Sequence, residues 1–137
     1  MSTERYLIDT NIFLEVIMDQ DRSEESRELL EALSEGKIHG ITTKFTVHAV
    51  EGILTNKPEK ASAFLHNIET SVGIEIADTD ISYERDTAQL SSEIKMDFDD
   101  SLQYRVAKRE GADAVVSFDT DFDSTEIDRK EPAEVLR

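Results

Sequence analysis

The stretch from Asp97 to Asp123 constrains the fold more than any other part of the chain, because it joins a helical pattern to a buried strand. One helical face is apolar at the expected spacing, with Leu102, Val106 and Ala107. The run 114–118 is mostly apolar and follows soon after a glycine, which is typical of a buried parallel strand. Such a strand delivers the carboxylate of Asp119 to the C-terminal edge of the sheet, where open α/β folds place their sites.

The acids that open this helix are predicted to meet Asp119 at that edge. Asp99 or Asp100 can cap the helix N-terminus, and Gly111 stands where a left-handed residue commonly ends a helix. If the helix starts at the edge where the strand ends, the carboxylates of Asp100 and Asp119 converge there. These two acids are therefore the first members of a candidate site.

Short apolar runs alternate with helical patterns along the whole chain. Strands are predicted at 6–9, 38–43, 74–77 and 114–118, with a small edge strand within 126–129. Helices are predicted to follow them, starting near residues 10, 21, 43, 58, 79, 100 and 132. This alternation predicts one domain over residues 1–137 with a three-layer α/β fold, in which helices flank a mainly parallel sheet of short strands.

The charge balance of the chain is strongly acidic. Asp and Glu number 31 against 15 Lys and Arg, for a formal net charge of −16 at pH 7. A protein of this charge is a poor candidate for nucleic-acid binding through a general basic surface. A solvated acidic shell, as in halophilic proteins, is the simplest explanation. We therefore count a carboxylate as functional only where the fold places it in a site.

Several functional classes are excluded by what the sequence lacks. It has no cysteine, which excludes disulfides, thiolate metal sites and a cysteine nucleophile. Its three histidines do not have the spacing of a zinc site. No apolar run approaches about eighteen residues and no signal-peptide pattern begins the chain, so we expect a cytoplasmic protein that does not enter a membrane.

Two further acids are predicted to join the edge. Asp9 ends the first predicted strand and precedes a helix that Thr10 or Asn11 can cap, so capping does not require Asp9. Glu51 lies among apolar neighbours on the helix after the second strand, where a carboxylate needs a partner or a metal ion. Taken alone, Glu51 would be interpreted as a residue on the helix flank that reaches solvent.

The four predicted acids of this cluster are Asp9, Glu51, Asp100 and Asp119. Like charges raise one another's pKa values, so four carboxylates cannot all stay ionised at one place without a cation. A hard divalent ion with oxygen ligands, Mg²⁺ or Mn²⁺, is the natural occupant. Such an ion acidifies water and stabilises an in-line phosphoryl displacement, which predicts chemistry on a phosphodiester.

Four short motifs stand in order at Leu7–Asn11, Ala49–Glu51, Asp99–Tyr104 and Val116–Phe122. Together they resemble the motifs of PIN-domain ribonucleases, most closely the VapC-like toxins and their relatives, over nearly the whole chain. The resemblance implies a PIN fold and metal-dependent endonucleolytic cleavage of RNA. It also implies an antitoxin protein as a partner, and a homodimer. The site residues that it implies are Asp9, Glu51, Asp100 and Asp119, with Asp121 as an additional metal ligand and with Asn11 and Ser117 lining the site.

Two alternatives remain open at this point. The first is a PIN-like protein-binding module with little or no cleavage activity, which the presence of all four acids disfavours. The second is an acidic receiver-type signalling domain, which needs a lysine at the end of a late strand, where Ser117 to Asp119 offers none. On the leading hypothesis of a ribonuclease, Arg105 and Arg109 are predicted to contact RNA at short range.

Overall fold

The computed structural model describes residues 4–136, and its elements follow the predicted alternation of strand and helix. The strands are β1 (Arg5–Ile8), β2 (His39–Thr43), β3 (Ile74–Ala77), β4 (Ala114–Val116) and β5 (Arg129–Lys130). The helices are α1 (Thr10–Ile17), α2 (Ser23–Ser34), α3 (Lys44–Ile53), α4 (Pro58–Thr70), α5 (Ile81–Ile94), α6 (Phe98–Arg109) and α7 (Pro132–Val135). A 3₁₀ turn, Thr120–Ser124, lies between β4 and β5.

The strands form one sheet in the order β3-β2-β1-β4-β5, and every neighbouring pair is parallel. The predicted parallel sheet of short strands is confirmed. β1 lies at the centre, and its register with β4 pairs Ile8 with Val116. The residues that follow these two strands, Asp9 and Ser117, therefore leave the sheet side by side at its C-terminal edge.

Helices cover both faces of the sheet and enclose two apolar cores. One core joins Tyr6 and Ile8 of β1 to side chains of α1, α2, α3 and α4. The other joins Leu7 of β1 to α6, where Leu102 and Val106 are fully buried. Successive residues of β1 serve opposite cores, as the two-residue period of a strand requires. Full burial of one large aliphatic side chain stabilises the fold by about 1.5–3 kcal/mol, so packing on both faces holds the edge of β1 in place.

The start of α6 differs from the prediction in a way that matters for the site. Asp97, rather than Asp99 or Asp100, caps the helix, because its Oδ1 accepts the backbone N–H of Asp100 at 2.8 Å. Asp99 and Asp100 therefore lie in the first turn, where the positive end of the helix dipole favours a negative charge. At the other end of α6, Gly111 has φ +68, the left-handed conformation that was predicted for it.

The last strands are shorter than their patterns suggested. β4 ends at Val116 rather than at Phe118, although the backbone N–H of Ser117 still donates to Lys130 O. The chain then leaves the sheet, because the N–H of Asp119 donates to Ser117 Oγ at 2.8 Å. β5 lies at Arg129–Lys130, so it shares only Arg129 with the edge strand predicted within 126–129. None of the helices within residues 4–136 is both long and apolar enough to cross a membrane.

Candidate metal centre

Asp9 is a buried carboxylate at the junction of β1 and α1. Its backbone is extended, with φ −65 and ψ 144, and its side chain makes no capping bond to α1. The carboxylate instead accepts hydrogen bonds on both oxygens, from Ser117 Oγ at 2.6 Å and from Gln103 Nε2 at 3.1 Å. Burial raises the pKa of Asp9, and these two hydrogen bonds oppose that rise. Asp9 is thus held for a role other than capping.

Ser117 connects two of the predicted site residues. Its hydroxyl donates to Asp9 Oδ2 and accepts the backbone N–H of Asp119 at 2.8 Å. Asp119 in turn accepts the backbone N–H of Asp121 on its Oδ1 at 2.9 Å, at the start of the 3₁₀ turn. A chain of hydrogen bonds therefore runs from the end of β1, through the end of β4, to Asp121.

Asp100 reaches this cluster from the first turn of α6. Only 7% of the residue is exposed to solvent. Burial is the largest cause that raises the pKa of Asp100 to about 8, and the charges of Asp9, Asp97 and Asp119 add to it. A hydrogen bond between the Asp100 carboxyl and the Asp119 carboxylate acts in the same direction. The predicted convergence of strand-end and helix-start acids is therefore what the fold produces.

The donor set of the cluster fits a hard divalent cation. One carboxylate oxygen each of Asp100, Asp119 and Asp121 lies within 4.8 Å of the others. Around an octahedral Mg²⁺ with metal–oxygen distances of about 2.1 Å, opposite ligands are about 4.2 Å apart and adjacent ligands about 3.0 Å apart, so the three oxygens would draw closer together to share one ion. The raised pKa of Asp100 reflects the cost of gathering buried negative charges without a cation, and a bound divalent cation would compete with the proton for that carboxylate.

Two predicted ligands, Asp9 and Glu51, do not belong to this group of three, and Glu51 lies in different surroundings from Asp9. Its Oε1 lies 3.3 Å from His48 Nδ1, and it borders a surface groove beside Pro58 and His66. The side of α3 that faces the site is marked by Thr46, whose hydroxyl lies 2.7 Å from that of Thr10. Five residues of α-helix turn by about 500°, which leaves Glu51 about 140° away from that side. A ligand role for Glu51 stays a prediction without support from this geometry.

A second layer of polar residues escaped the sequence analysis. Gln103 donates to Asp9 Oδ1 and, at 3.3 Å, to Thr10 Oγ1, and Thr10 donates to Asp99 Oδ2 at 2.9 Å. Gln103 and Asp99 each leave one buried oxygen without a hydrogen-bond partner within the described residues. The signal for Gln103 was its place three residues after Asp100, on the same side of α6. The charge at Asp99 was noted in the sequence, but its contact with Thr10 was not foreseen.

The two arginines that were predicted to contact RNA, Arg105 and Arg109, instead form hydrogen bonds with α5 and the residues beside it. Arg105 Nη1 donates to the backbone oxygen of Tyr83 at 2.8 Å and to Thr87 Oγ1 at 2.9 Å. Arg109 Nη2 donates to Asp78 O at 3.1 Å, and its Nε pairs with Glu110. These contacts fix α6 against α5, which gives both arginines a structural role. Asn11, the other predicted lining residue, is exposed at the start of α1.

Comparisons with known proteins bear on this fold and this cluster. The sequence model described as PIN domain matches residues 5–121. The chain also resembles VapC20 from Mycobacterium tuberculosis, described as a Sarcin-Ricin loop cleaving toxin, with 15% identity and a TM-score of 0.69 over 89% of this chain and 95% of that one. No curated protein matches the chain.

Two further solved structures share the fold. One belongs to a toxin–antitoxin complex from Klebsiella pneumoniae, with 18% identity and a TM-score of 0.68 over 93% of this chain and 97% of that one. The other belongs to VapBC2 from Rickettsia felis, bound to a DNA fragment from their promoter, with 17% identity and a TM-score of 0.68 over 93% of this chain and 98% of that one. At these identities the likeness concerns the fold.

Proposed function

The chain belongs to the PIN domain family, a family of nucleases, and from that premise we propose that it is a Mg²⁺- or Mn²⁺-dependent endoribonuclease. The observation that supports this most directly is the meeting of Asp100, Asp119 and Asp121 beside Asp9. The proposal covers residues 1–137 as a single PIN domain that acts on RNA in the cytoplasm.

The four carboxylates of the proposed site have different roles. Asp100, Asp119 and Asp121 would hold the cation, and Asp9, fixed by Ser117 and Gln103, would complete the negative wall of the site. A bound divalent cation supplies positive charge for phosphoryl transfer and acidifies water. Since Asp9 and Asp100 are buried, they exclude solvent from the reacting phosphate on the sheet side. Asp119 and Asp121 are more exposed and leave the opposite side open to substrate.

The solved structures that share the fold suggest the kind of system in which the chain acts. Two of them come from toxin–antitoxin systems by name, and a third is named as a toxin that cleaves the Sarcin-Ricin loop. We propose by analogy that the chain is the toxin of a toxin–antitoxin pair, with an antitoxin protein as its partner and a homodimer as its assembly. The proposed halophilic character has its support in the formal net charge of −16.

A PIN-like protein-binding module with little or no cleavage activity is the second candidate. The displacement of Glu51 from the cluster favours it, since one predicted ligand is then missing. The buried and mutually perturbed carboxylates favour the enzyme, because a binding module has no need to keep acids of raised pKa together at a sheet edge.

Turnover of a labelled RNA separates the two candidates. Purified protein is incubated with end-labelled RNA in Mn²⁺, in Mg²⁺ and in EDTA, beside Asp100→Asn, which removes the charge and keeps the volume. We expect discrete internal cuts with metal, none in EDTA, and a loss of about a hundredfold or more in Asp100→Asn, the scale on which one electrostatic group acts. Equal cleavage by wild type and Asp100→Asn would identify a contaminating nuclease and reject the enzyme.

A further inference from the structure

The acidic chain must meet a polyanion, so its free cations are the natural place to look for substrate contacts. Within residues 4–136, the side chains of five lysines and arginines make no hydrogen bond, ion pair or aromatic contact: Arg27, Lys44, Lys57, Lys60 and Lys95. Arg27 and Lys60 border a groove between α2 and α4, and Lys57 precedes α4. Only Lys44 and Lys95 belong to segments that lead into the acidic site.

These two lysines flank an aromatic pair. Lys44 is followed directly by Phe45, and Lys95 precedes Phe98 by three residues. The two rings pack edge to face, with centroids 5.3 Å apart and an interplanar angle of 61°. Both phenylalanines pack against the α6 core and remain partly exposed. We name the four residues Lys44, Phe45, Lys95 and Phe98 the Lys-Phe patch.

The patch adjoins the site through both of its helices. Phe98 opens α6 directly before Asp99, whose Oδ2 accepts the hydroxyl of Thr10 at 2.9 Å. Phe45 precedes Thr46, whose hydroxyl contacts that of Thr10, the residue after Asp9. Both rings therefore directly precede residues that contact Thr10, the residue after Asp9, which puts the aromatic pair beside the site.

Both lysines stand where local physical chemistry disfavours them. Lys44 is the first residue of α3, and a cation is unfavourable at the positive end of a helix. Lys95 ends α5 in the left-handed region, with φ 58 and ψ 39, where glycine is preferred. Neither charge is used inside the described part of the fold. Two cations at unfavourable places in the free protein are candidates for contacts with a bound anion.

We infer that the Lys-Phe patch is the subsite that holds a single-stranded RNA segment next to the cleaved phosphate, an inference that rests on the proposed ribonuclease function. The lysines would bind phosphates, and the exposed ring edges would support an unpaired base, as aromatic side chains do in single-strand binding proteins. A duplex cannot offer its bases in this way, so the patch selects single strands.

Binding is measured apart from cleavage. In an Asp100→Asn background with Mg²⁺, the anisotropy of a labelled twelve-nucleotide RNA of mixed sequence is followed for Lys44→Gln, Lys95→Gly and Phe98→Leu. Lys57→Gln is the matched control, since it removes the same charge at another helix start, beyond the far end of α3. Lys95→Gly also relieves the left-handed strain, so its melting temperature should hold or rise while its affinity falls.

The expected result has two parts. Each lysine variant weakens RNA binding. The slope of the logarithm of the association constant against the logarithm of salt concentration becomes less negative by about 0.7 for each lysine removed, the value for one phosphate contact to a single strand. Phe98→Leu weakens binding about fivefold or more. In the protein with its native Asp100, the same changes raise KM and leave kcat in place, because they remove binding that substrate and transition state share.

The contrary results are equally specific. Three results would overturn the subsite. The first is that Lys44→Gln and Lys95→Gly weaken RNA binding no more than Lys57→Gln does. The others are equal affinity for the same RNA as a duplex, and no RNA binding at all. The proposed ribonuclease function fails separately, through absence of metal-dependent cleavage by the wild type. The affinity series in the inactive background does not depend on that outcome.

Discussion

The hydroxyl of Ser117 lies 2.6 Å from Asp9 Oδ2, although the two residues are 108 positions apart in the chain. The same oxygen accepts the N–H of Asp119, so one small side chain sets the spacing between acids from two different strands. Because Ser117 is fully buried, water cannot replace this hydroxyl without a cavity to occupy. Ser117 is thus a positioning residue, which acts through Asp9 and Asp119.

Ser117→Ala is expected to lower kcat by about 10–100-fold, the usual effect of losing a residue that orients metal ligands. It also leaves a buried carboxylate oxygen without its donor, which costs about 1–3 kcal/mol of stability. Ser117→Thr keeps the hydroxyl and should recover most of the activity. RNA cleavage and thermal melts of the three proteins check this. Activity of Ser117→Ala at the wild-type level would show that Asp9 needs no orientation.

Glu51→Gln is expected to keep cleavage within a few-fold of wild type, whereas Asp119→Asn loses about a hundredfold or more. The reason is that Glu51 Oε1 lies 3.3 Å from His48 Nδ1 and does not belong to the group of acids in which Asp119 stands. Both changes remove one negative charge and little volume, so they are matched. Cleavage rates at saturating Mn²⁺ measure the effect. Equal losses of cleavage rate in the two variants would show that Glu51 acts in the site, and α3 would then have to rotate when the metal binds.

Metal-free protein should lose stability as the pH rises from about 4 to about 8. The pKa of Asp100 is about 8 in the folded state, and that of an unfolded Asp is about 3.9. The folded state therefore holds a proton that the unfolded chain has released over this window. Its contribution is complete below about pH 4 and disappears as the pH passes about 8, with a slope of at most about 1.4 kcal/mol per pH unit.

Urea unfolding in EDTA and in Mg²⁺, at fixed high KCl between pH 5 and 9, measures this change. Asp100→Asn is the control, because it removes the titrating group and leaves the general charge repulsion nearly intact. Stabilisation by Mg²⁺ should grow with pH in the wild type, since the ion competes with the proton for the same carboxylate. A gain from Mg²⁺ that does not vary with pH would place the ion elsewhere.

Cleavage of RNA is expected to rise with monovalent salt, the reverse of the usual trend. The formal net charge of −16 repels a polyanion at long range, and screening shortens that repulsion from about 10 Å at 0.1 M salt to about 3 Å at 1 M. Contacts at short range would remain. Rates across a KCl series at constant Mn²⁺, with circular dichroism at each point, measure it. A steady fall in rate from low salt by a folded protein would show that local cations outweigh the net charge.

Strand ends and helix starts were the part of the site that sequence patterns could locate. Asp9 and Asp119 follow buried apolar runs, and parallel strands bring such positions to one edge whatever their distance in sequence. Asp100 needed only the added assumption that its helix begins at that edge. These positions depend only on where a buried strand ends, and a single apolar run in the sequence marks that end.

Rotation about a helix axis was the part that patterns could not supply. Whether Glu51 or Thr46 faces the acids depends on how α3 is turned about its own axis. That rotation is set by the Thr43 cap and by the packing of Val47 and Val50. The apolar pattern of the sequence fits a helix that turns Glu51 toward the acids as well as one that turns Thr46 toward them. The hydrogen bonds of Gln103 were hidden for a related reason, because a buried amide has no periodic signal of its own.

The central position of β1 has a consequence for the time at which the protein becomes active during its synthesis. The ribosome makes Asp9 first and Ser117 only 108 residues later, and β1 needs β4 as its neighbour before the acids can meet. Contacts of such long range form late in folding, because the loop between them must close first. A nascent chain that stops before Ala114 holds Asp9 without its positioning serine or the second strand-end acid. An unfinished copy of the chain therefore has no assembled cluster of acids at the sheet edge, whatever its helices have formed.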